Sequence, residues 1–203
     1  TYLAPYSDNY TKPNFYKVKY KGKTTYININ SLAIEKFKYE RNQSALLFKI
    51  KEYQDSIKTL LIKEINCKAI SYEYETPLQG ELFTLLLTDT RGLDSIDKLI
   101  VVDYFAESCG INGGVSYYSW TPKTIKLIAH LSSVVDADVF AHEENLIFPS
   151  DSGGVKGQLL YSSEMYELLD EETKWFTITK SEKTYKWLNG QIFPSFNFRP
   201  NGQ

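Results

Sequence analysis

Methionine occurs once in this chain of 203 residues, and cysteine and histidine occur twice each. Two histidines leave few ways to build an imidazole-rich metal centre, and the His-Glu-x-x-His spacing is absent. Two cysteines with no Cys-x-x-Cys exclude a zinc ribbon and a thioredoxin-like redox motif. No apolar run approaches the roughly 18–20 residues of a membrane-spanning helix. The longest, near Leu99-Ile-Val-Val102, is strand-sized. There is no phosphate-cradling glycine loop and no dinucleotide-binding glycine pattern. Neither sign of charge dominates. The net value of −2 argues against general nucleic-acid binding. No cofactor and no metal are expected.

What is abundant points toward strands. Sixteen Tyr and eleven Phe suit pleated, half-buried surfaces. With 42% hydrophobic and 24% charged residues, the composition is that of a soluble globular protein. The expected fold is mainly β, an antiparallel sandwich or meandering sheet with an N-terminal hairpin and one or two short helices. An arm and hairpin are expected over 1–40, and a β-rich domain over 41–203. The charge is uneven along the chain. Residues 1–68 hold 13 Lys or Arg against 6 Asp or Glu, and 69–203 hold 10 against 19. That asymmetry reads either as solvated strand faces or as a basic front aimed at an acidic partner.

The turn-rich segment Tyr2 to Asn14 reads as an extended arm. Ser44 to Ile65 carries apolar residues at Leu46, Ile50, Tyr53, Ile57, Leu60, Leu61 and Ile65, a spacing of three and four that fits one helix face. Phe48-Lys-Ile50-Lys alternates instead, so two strands turning at Gln54-Asp55-Ser56 compete with the helix. From Cys67 onward the pattern is of short strands between turns. Val115 to Trp120 and Thr124 to His130 flank Thr121-Pro-Lys123 as a hairpin, and Asn189-Gly190 turns Thr184–Leu188 into Gln191–Phe193. Only Glu164 to Glu172 reads as a short acidic helix. Lys98–Phe193 is expected to form one continuous sheet system.

Phe15-Tyr-Lys-Val-Lys-Tyr20 and Thr25-Tyr-Ile-Asn-Ile29 alternate around Lys21-Gly-Lys-Thr, which predicts a hairpin turned at Gly22. This run resembles the closing hairpin of bacterial Src-homology-3-like domains, which end in a similar Lys-Val-x-Tyr-x-Gly-Lys pattern. Thr25-Tyr26 stands where that family has Gly-Trp. The resemblance implies ligand binding in the cell envelope rather than chemistry. It transfers no ligand-binding residue, since the family's other segments have no counterpart here. Lys17, Lys19, Lys21 and Lys23 fall on alternate residues and are expected to share one strand face. With Tyr26 and Trp120 they make the candidate ligand-binding set.

Val102-Asp-Tyr104, Ser108-Cys-Gly110, Tyr117-Tyr118, Asn145-Leu-Ile-Phe-Pro149 and Thr184-Tyr-Lys-Trp-Leu-Asn-Gly190 also look like segments of uncharacterised exported proteins from Bacteroidetes. That likeness implies a periplasmic, cell-surface or secreted location and no particular activity. The start at Thr1 fits a mature protein whose leader was removed, or a trimmed chain, and leaves room for a lipid anchor upstream. In an exported protein an isolated cysteine pair suggests a Cys67–Cys109 disulfide. Two buried, reduced thiols are the alternative.

Two groups carry possible chemistry. Asp151-Ser152-Gly153-Gly154 resembles the nucleophile motif of trypsin-like proteases, and His130 follows Ala129 as in their Ala-Ala-His. Only 22 residues separate His130 from Ser152, too few for that fold. Any triad would need His130, Asp136 and Ser152 to converge in a different one. The bland reading is a glycine-rich turn after Pro149. His130, Asp136, Asp138, His142, Glu143 and Glu144 are the densest set of metal-ligating types, and a weak calcium set at Asp136, Asp138 and Asp151 is no better supported. On a strand Asp136 and Asp138 face one side and the intervening Ala137 the other, while His130 lies a strand away. Trp120, Trp175 and Trp187 either line a binding face or fill a core. The expected function is therefore a non-enzymatic envelope protein that binds a protein, peptide or cell-wall ligand. The alternative is a small hydrolase using His130 or His142 with nearby carboxylates or Ser152.

Overall fold

The computed structural model describes residues 15–28, 32–39, 44–52, 58–66, 69–80, 82–106, 108–170 and 172–196. Strands dominate, and no helix occurs among the described residues. The chain divides into two units, Thr1–Pro77 and Leu78–Gln203. The division falls at Pro77 rather than near residue 40, because the four described strands between Glu35 and Pro77 make a sheet of their own. Counted over these units, 13 Lys or Arg stand against 8 Asp or Glu in the first and 10 against 17 in the second.

In the first unit β1 (Phe15–Tyr20) and β2 (Lys23–Asn28) form the expected hairpin. Lys21 and Gly22 both have positive φ, 49° and 76°, the two-residue turn whose twist matches its strands. The arm expected over 2–14 lies outside the described residues. β3 (Glu35–Tyr39), β4 (Ser44–Glu52), β5 (Lys58–Asn66) and β6 (Ala69–Pro77) follow as a four-stranded antiparallel meander. The helix reading of 44–65 is thus overturned in favour of the hairpin, whose turn lies outside the described residues. β5 buries Leu60, Leu61 and Ile62 in succession, so both of its faces are covered. A strand buried on both sides loses its alternation and imitates a helix in sequence.

The second unit is one eight-stranded antiparallel meander running in chain order. Its strands are β7 (Phe83–Thr88), β8 (Lys98–Tyr104), β9 (Gly113–Thr121), β10 (Thr124–Asp136), β11 (Phe140–Ile147), β12 (Gln158–Asp170), β13 (Trp175–Leu188) and β14 (Gln191–Phe193). The acidic helix expected at Glu164–Glu172 is instead the end of β12, paired with β11 on one side and β13 on the other. Ladder hydrogen bonds on both sides outweigh the helix propensity of Glu and Leu.

This sheet curls. In flat order β10 and β13 would stand roughly 14 Å apart. Yet Ile128 and Leu131 of β10 share a buried cluster with Tyr185 and Trp187 of β13, together with Leu93, Leu99, Leu146, Phe148 and Leu159. The indole N–H of Trp187 donates to the Asp94 carbonyl at 2.9 Å, joining the β7–β8 connection to β13. The curl opens a seam. β10 and β11 pair only from Ser133–Glu143 to Asp136–Phe140, and beyond Ser133 the ladder gives way to a side chain.

Candidate functional site

That side chain is Glu144. Its Oε2 accepts from the Ser132 N–H at 2.7 Å and from the Ser132 hydroxyl at 3.0 Å, and its Oε1 accepts from the Tyr161 hydroxyl at 2.6 Å. The carboxylate stands in for the missing ladder bonds of the seam. Bonds to an ionised acceptor are the stronger kind. Burial and then this contact push the Tyr161 hydroxyl up to about 12.

Beside the seam lies the one pairing with the shape of a nucleophile and its base. Ser116 on β9 faces His130 on β10, with Oγ and Nδ1 2.7 Å apart. A bulge in β10 makes the pair. Leu127 is opposite Tyr118, but Ala129 is opposite Tyr117, so the extra residue brings His130 rather than Ala129 against Ser116. The Tyr104 ring stands edge-on to His130 with centroids 6.1 Å apart. The Tyr104 hydroxyl is buried with no partner of good geometry, and burial raises its pKa. Burial lowers the His130 pKa against the opposing pull of Glu144, so the ring is neutral near pH 7.

The folded pKa of His130 lies below its ordinary 6.5. Its contribution to stability is therefore complete above that value. It is lost as pH falls through 6.5 toward the folded value, because the unfolded chain takes the proton first. Melting temperatures measured from pH 8 to pH 5 should show this loss in the native chain. His130→Gln cannot titrate and should show a shallower slope. Equal slopes would remove His130 as its source.

Nucleophilic catalysis needs access as well as reach. Ser116 is 2% exposed and His130 8%. An open pocket of this unit, about 480 Å³, is lined by Asp103, Cys109, Ser132, Ser133, Glu143 and Glu144 among others, and by neither Ser116 nor His130. His142 is held elsewhere, with Ser163 Oγ 3.3 Å from its Nε2 and Ser132 Oγ 3.5 Å from its Nδ1. The two histidines thus sit in separate pairings. Asp136, Asp138 and Glu143 are exposed, and no group of three metal-ligating side chains occurs among the described residues.

Ser152 is exposed at a turn, whereas His130 is buried. Its neighbour Asp151 is a structural anchor. Arg91 donates to it through Nε at 3.0 Å and again through a terminal nitrogen, and the Phe148 N–H donates to it at 2.8 Å. The Arg91 guanidinium lies 4.1 Å from the Phe148 ring centroid. Burial acts to lower the Arg91 pKa, but the bonds to Asp151 prevail and raise it. A Cβ on Gly154 would come within 2.1 Å of the Phe148 carbonyl oxygen, so the second glycine serves close backbone approach.

The expected ligand set fares unevenly. Trp120 is fully buried and presents nothing to a ligand. Tyr26, Lys19, Lys21 and Lys23 are exposed. The lysines do not share a face: Lys19 is opposite Thr24 while Lys23 is opposite Tyr20, so the two point to opposite sides, and Lys21 sits in the turn. The side chain of Lys17 lies outside the described residues. The Cys67–Cys109 bridge is not seen. Cys109 is a free, exposed thiol, and Cys67 lies outside the described residues.

A larger basic surface was missed. The register of β3 to β5 puts Lys36, Lys38, Lys49, Lys51 and Lys63 on one face of the four-stranded sheet. Lys51 pairs with Glu75 at 2.7 Å and Lys63 with Glu73 at 2.6 Å. Lys36, Lys38 and Lys49 make no ion pair among the described residues. The alternations Lys36-x-Lys38 and Lys49-x-Lys51 show it once the strand reading of 44–65 is taken over the competing helix.

No protein-family model, curated protein or solved structure matches this chain. Among the described residues, no helix is long and apolar enough to cross a membrane.

Proposed function

We propose that this chain is a non-enzymatic, exported protein of the bacterial envelope that holds an acidic protein, peptide or cell-wall ligand on the basic face of its N-terminal unit. The carrying observation is the row Lys36, Lys38 and Lys49, three cations on one sheet face without a carboxylate partner among the described residues. Like charges so placed repel until a partner or solvent screens them. The exposed lysines of the β1–β2 hairpin, Lys19, Lys21 and Lys23, add to the positive charge of the same unit. The likeness to exported Bacteroidetes proteins supports the location.

The chain should bind fluorescent poly-L-glutamate or isolated cell-wall sacculi at low ionic strength. Lys36, Lys38 and Lys49 changed together to Ser should weaken this about tenfold. The difference should shrink as salt passes about 0.15 M, where screening acts over about 8 Å. Equal binding by the triple variant would end this assignment of the surface.

The hydrolase reading is favoured by one contact, the 2.7 Å approach of Ser116 to His130. A fluorophosphonate probe decides it by intact mass. The binding reading expects no adduct. An adduct on Ser116 that His130→Ala abolishes would make this protein an enzyme.

A further inference from the structure

We propose that the outer edge of β13 pairs with the same edge of a second copy, joining two eight-stranded sheets across a two-fold axis at Ser181. β12 covers one side of β13 from Trp175 to Lys186. On the other side β14 covers only Lys186–Leu188. Among the described residues no strand pairs with the outer side of Trp175–Tyr185. The chain does not return to that edge through residue 196. Phe196 packs instead against the Tyr161 and Tyr185 rings, at 5.4 and 5.2 Å between centroids. From Trp175 to Thr184 every side chain is exposed, on both faces of the ribbon. Such an edge offers a row of unpaired N–H and C=O groups and is a template for another strand.

Symmetry narrows the register. In an antiparallel pair, opposite residues lie on the same sheet face. A two-fold axis through the seam therefore sets one residue against its own copy. Centring on Lys180 opposes two lysines, and centring on Glu182 opposes two glutamates, both unfavourable. Centring on Thr179 sets Ile178 against Lys180 and Phe176 against Glu182. Centring on Ser181 sets each Lys180 against the partner's Glu182, twice over, with Ile178 against the partner's Thr184. It also uses the unpaired stretch continuously from Thr177 to Tyr185.

Edge lysines usually keep sheets apart. Here the order Lys180-Ser181-Glu182 rejects the registers one residue to either side and accepts the one between. Lys180 already meets Glu164 of its own β12 at 2.9 Å, and both side chains are more than half exposed. The partner's Glu182 completes a row of alternating charge across the seam. A single-strand seam is narrow, so the association is a concentration-dependent equilibrium.

Sedimentation of the whole chain from micromolar to millimolar concentration should show monomer passing to dimer. On a chain with both native cysteines changed to Ser, and with unchanged strand content by circular dichroism, Ser181→Cys should give a disulfide-linked dimer under mild oxidation. Thr179→Cys should not, because its copies would lie about 13 Å apart along the seam, beyond disulfide reach. Lys180→Glu should weaken the dimer at least tenfold, and adding Glu182→Lys to it should restore association. A chain that stays monomeric, equal cross-linking at 179 and 181, or a charge swap that fails to rescue would each overturn the proposal.

Discussion

Trp120→Ala is expected to lower the stability of the C-terminal unit by about 3–5 kcal/mol, the usual cost of removing a large buried ring. Trp120 is fully buried and lies between Lys98 of β8 and Ile125 of β10 in the ladder. Its carbonyl accepts from the Asp97 N–H at 2.9 Å, so the ring sits where the β7–β8 connection meets the sheet. The residue is a structural centre and not a ligand platform. Denaturant titration should show an earlier midpoint with an unchanged slope. Trp175 is the natural control. It is 71% exposed, and Trp175→Ala should change stability by no more than about 0.5 kcal/mol. If Trp120→Ala left stability intact and removed binding instead, the ring would have to be reassigned to a ligand.

The two tryptophans show what was legible in sequence. Turn residues marked the β9–β10 hairpin at Thr121-Pro-Lys123 and the β13–β14 hairpin at Asn189-Gly190, and a strand-length apolar run closed by turn residues marked β8, which is buried on both faces. Which face was buried depends on partners far along the chain. Nothing in the residues around Trp120 or Trp175 separates a core indole from an exposed one. For β5 the sequence left helix and hairpin in competition, since burial on both faces erased its period and no turn of glycine or proline preceded it. The end of β12 failed because two neighbouring strands imposed a conformation that Glu and Leu do not prefer on their own.

The candidate sites follow the same rule. A plain hairpin turning at Thr121–Thr124 would set Ser116 against Ala129. The bulge after Leu127 turns His130 onto Ser116 instead, and no local signal announces it. The lysine face was in the sequence all along as two short alternations, hidden by the competing helix. The hairpin lysines were placed on one face by counting alternate residues straight through a turn. The count cannot be carried across it: Lys19 pairs with Thr24, which leaves Lys23 on the other side.

Asp151→Ala should destabilise the same unit by about 2–4 kcal/mol, the range for breaking a hydrogen-bonded ion pair that is mostly shielded from water. Arg91 and Asp151 are 60 residues apart in sequence, and their side chains are 29% and 24% exposed, so solvent screens the pair only in part. The change removes three contacts together. It leaves the Arg91 guanidinium over the Phe148 and Tyr117 rings without its counter-charge, and the Phe148 N–H without its acceptor. Asp151→Asn should recover part of the loss, because an amide oxygen still accepts from Phe148 while the charge is gone. Ser152→Ala, one residue along and exposed, should be nearly neutral. These three variants compared by denaturant midpoint separate the two meanings of Asp151-Ser152-Gly153-Gly154. A structural turn anchored by Arg91 predicts the order Asp151→Ala, Asp151→Asn, Ser152→Ala from worst to mildest. A loss in Ser152→Ala as large as in Asp151→Ala would place the weight on the serine and reopen the protease-like reading of the motif.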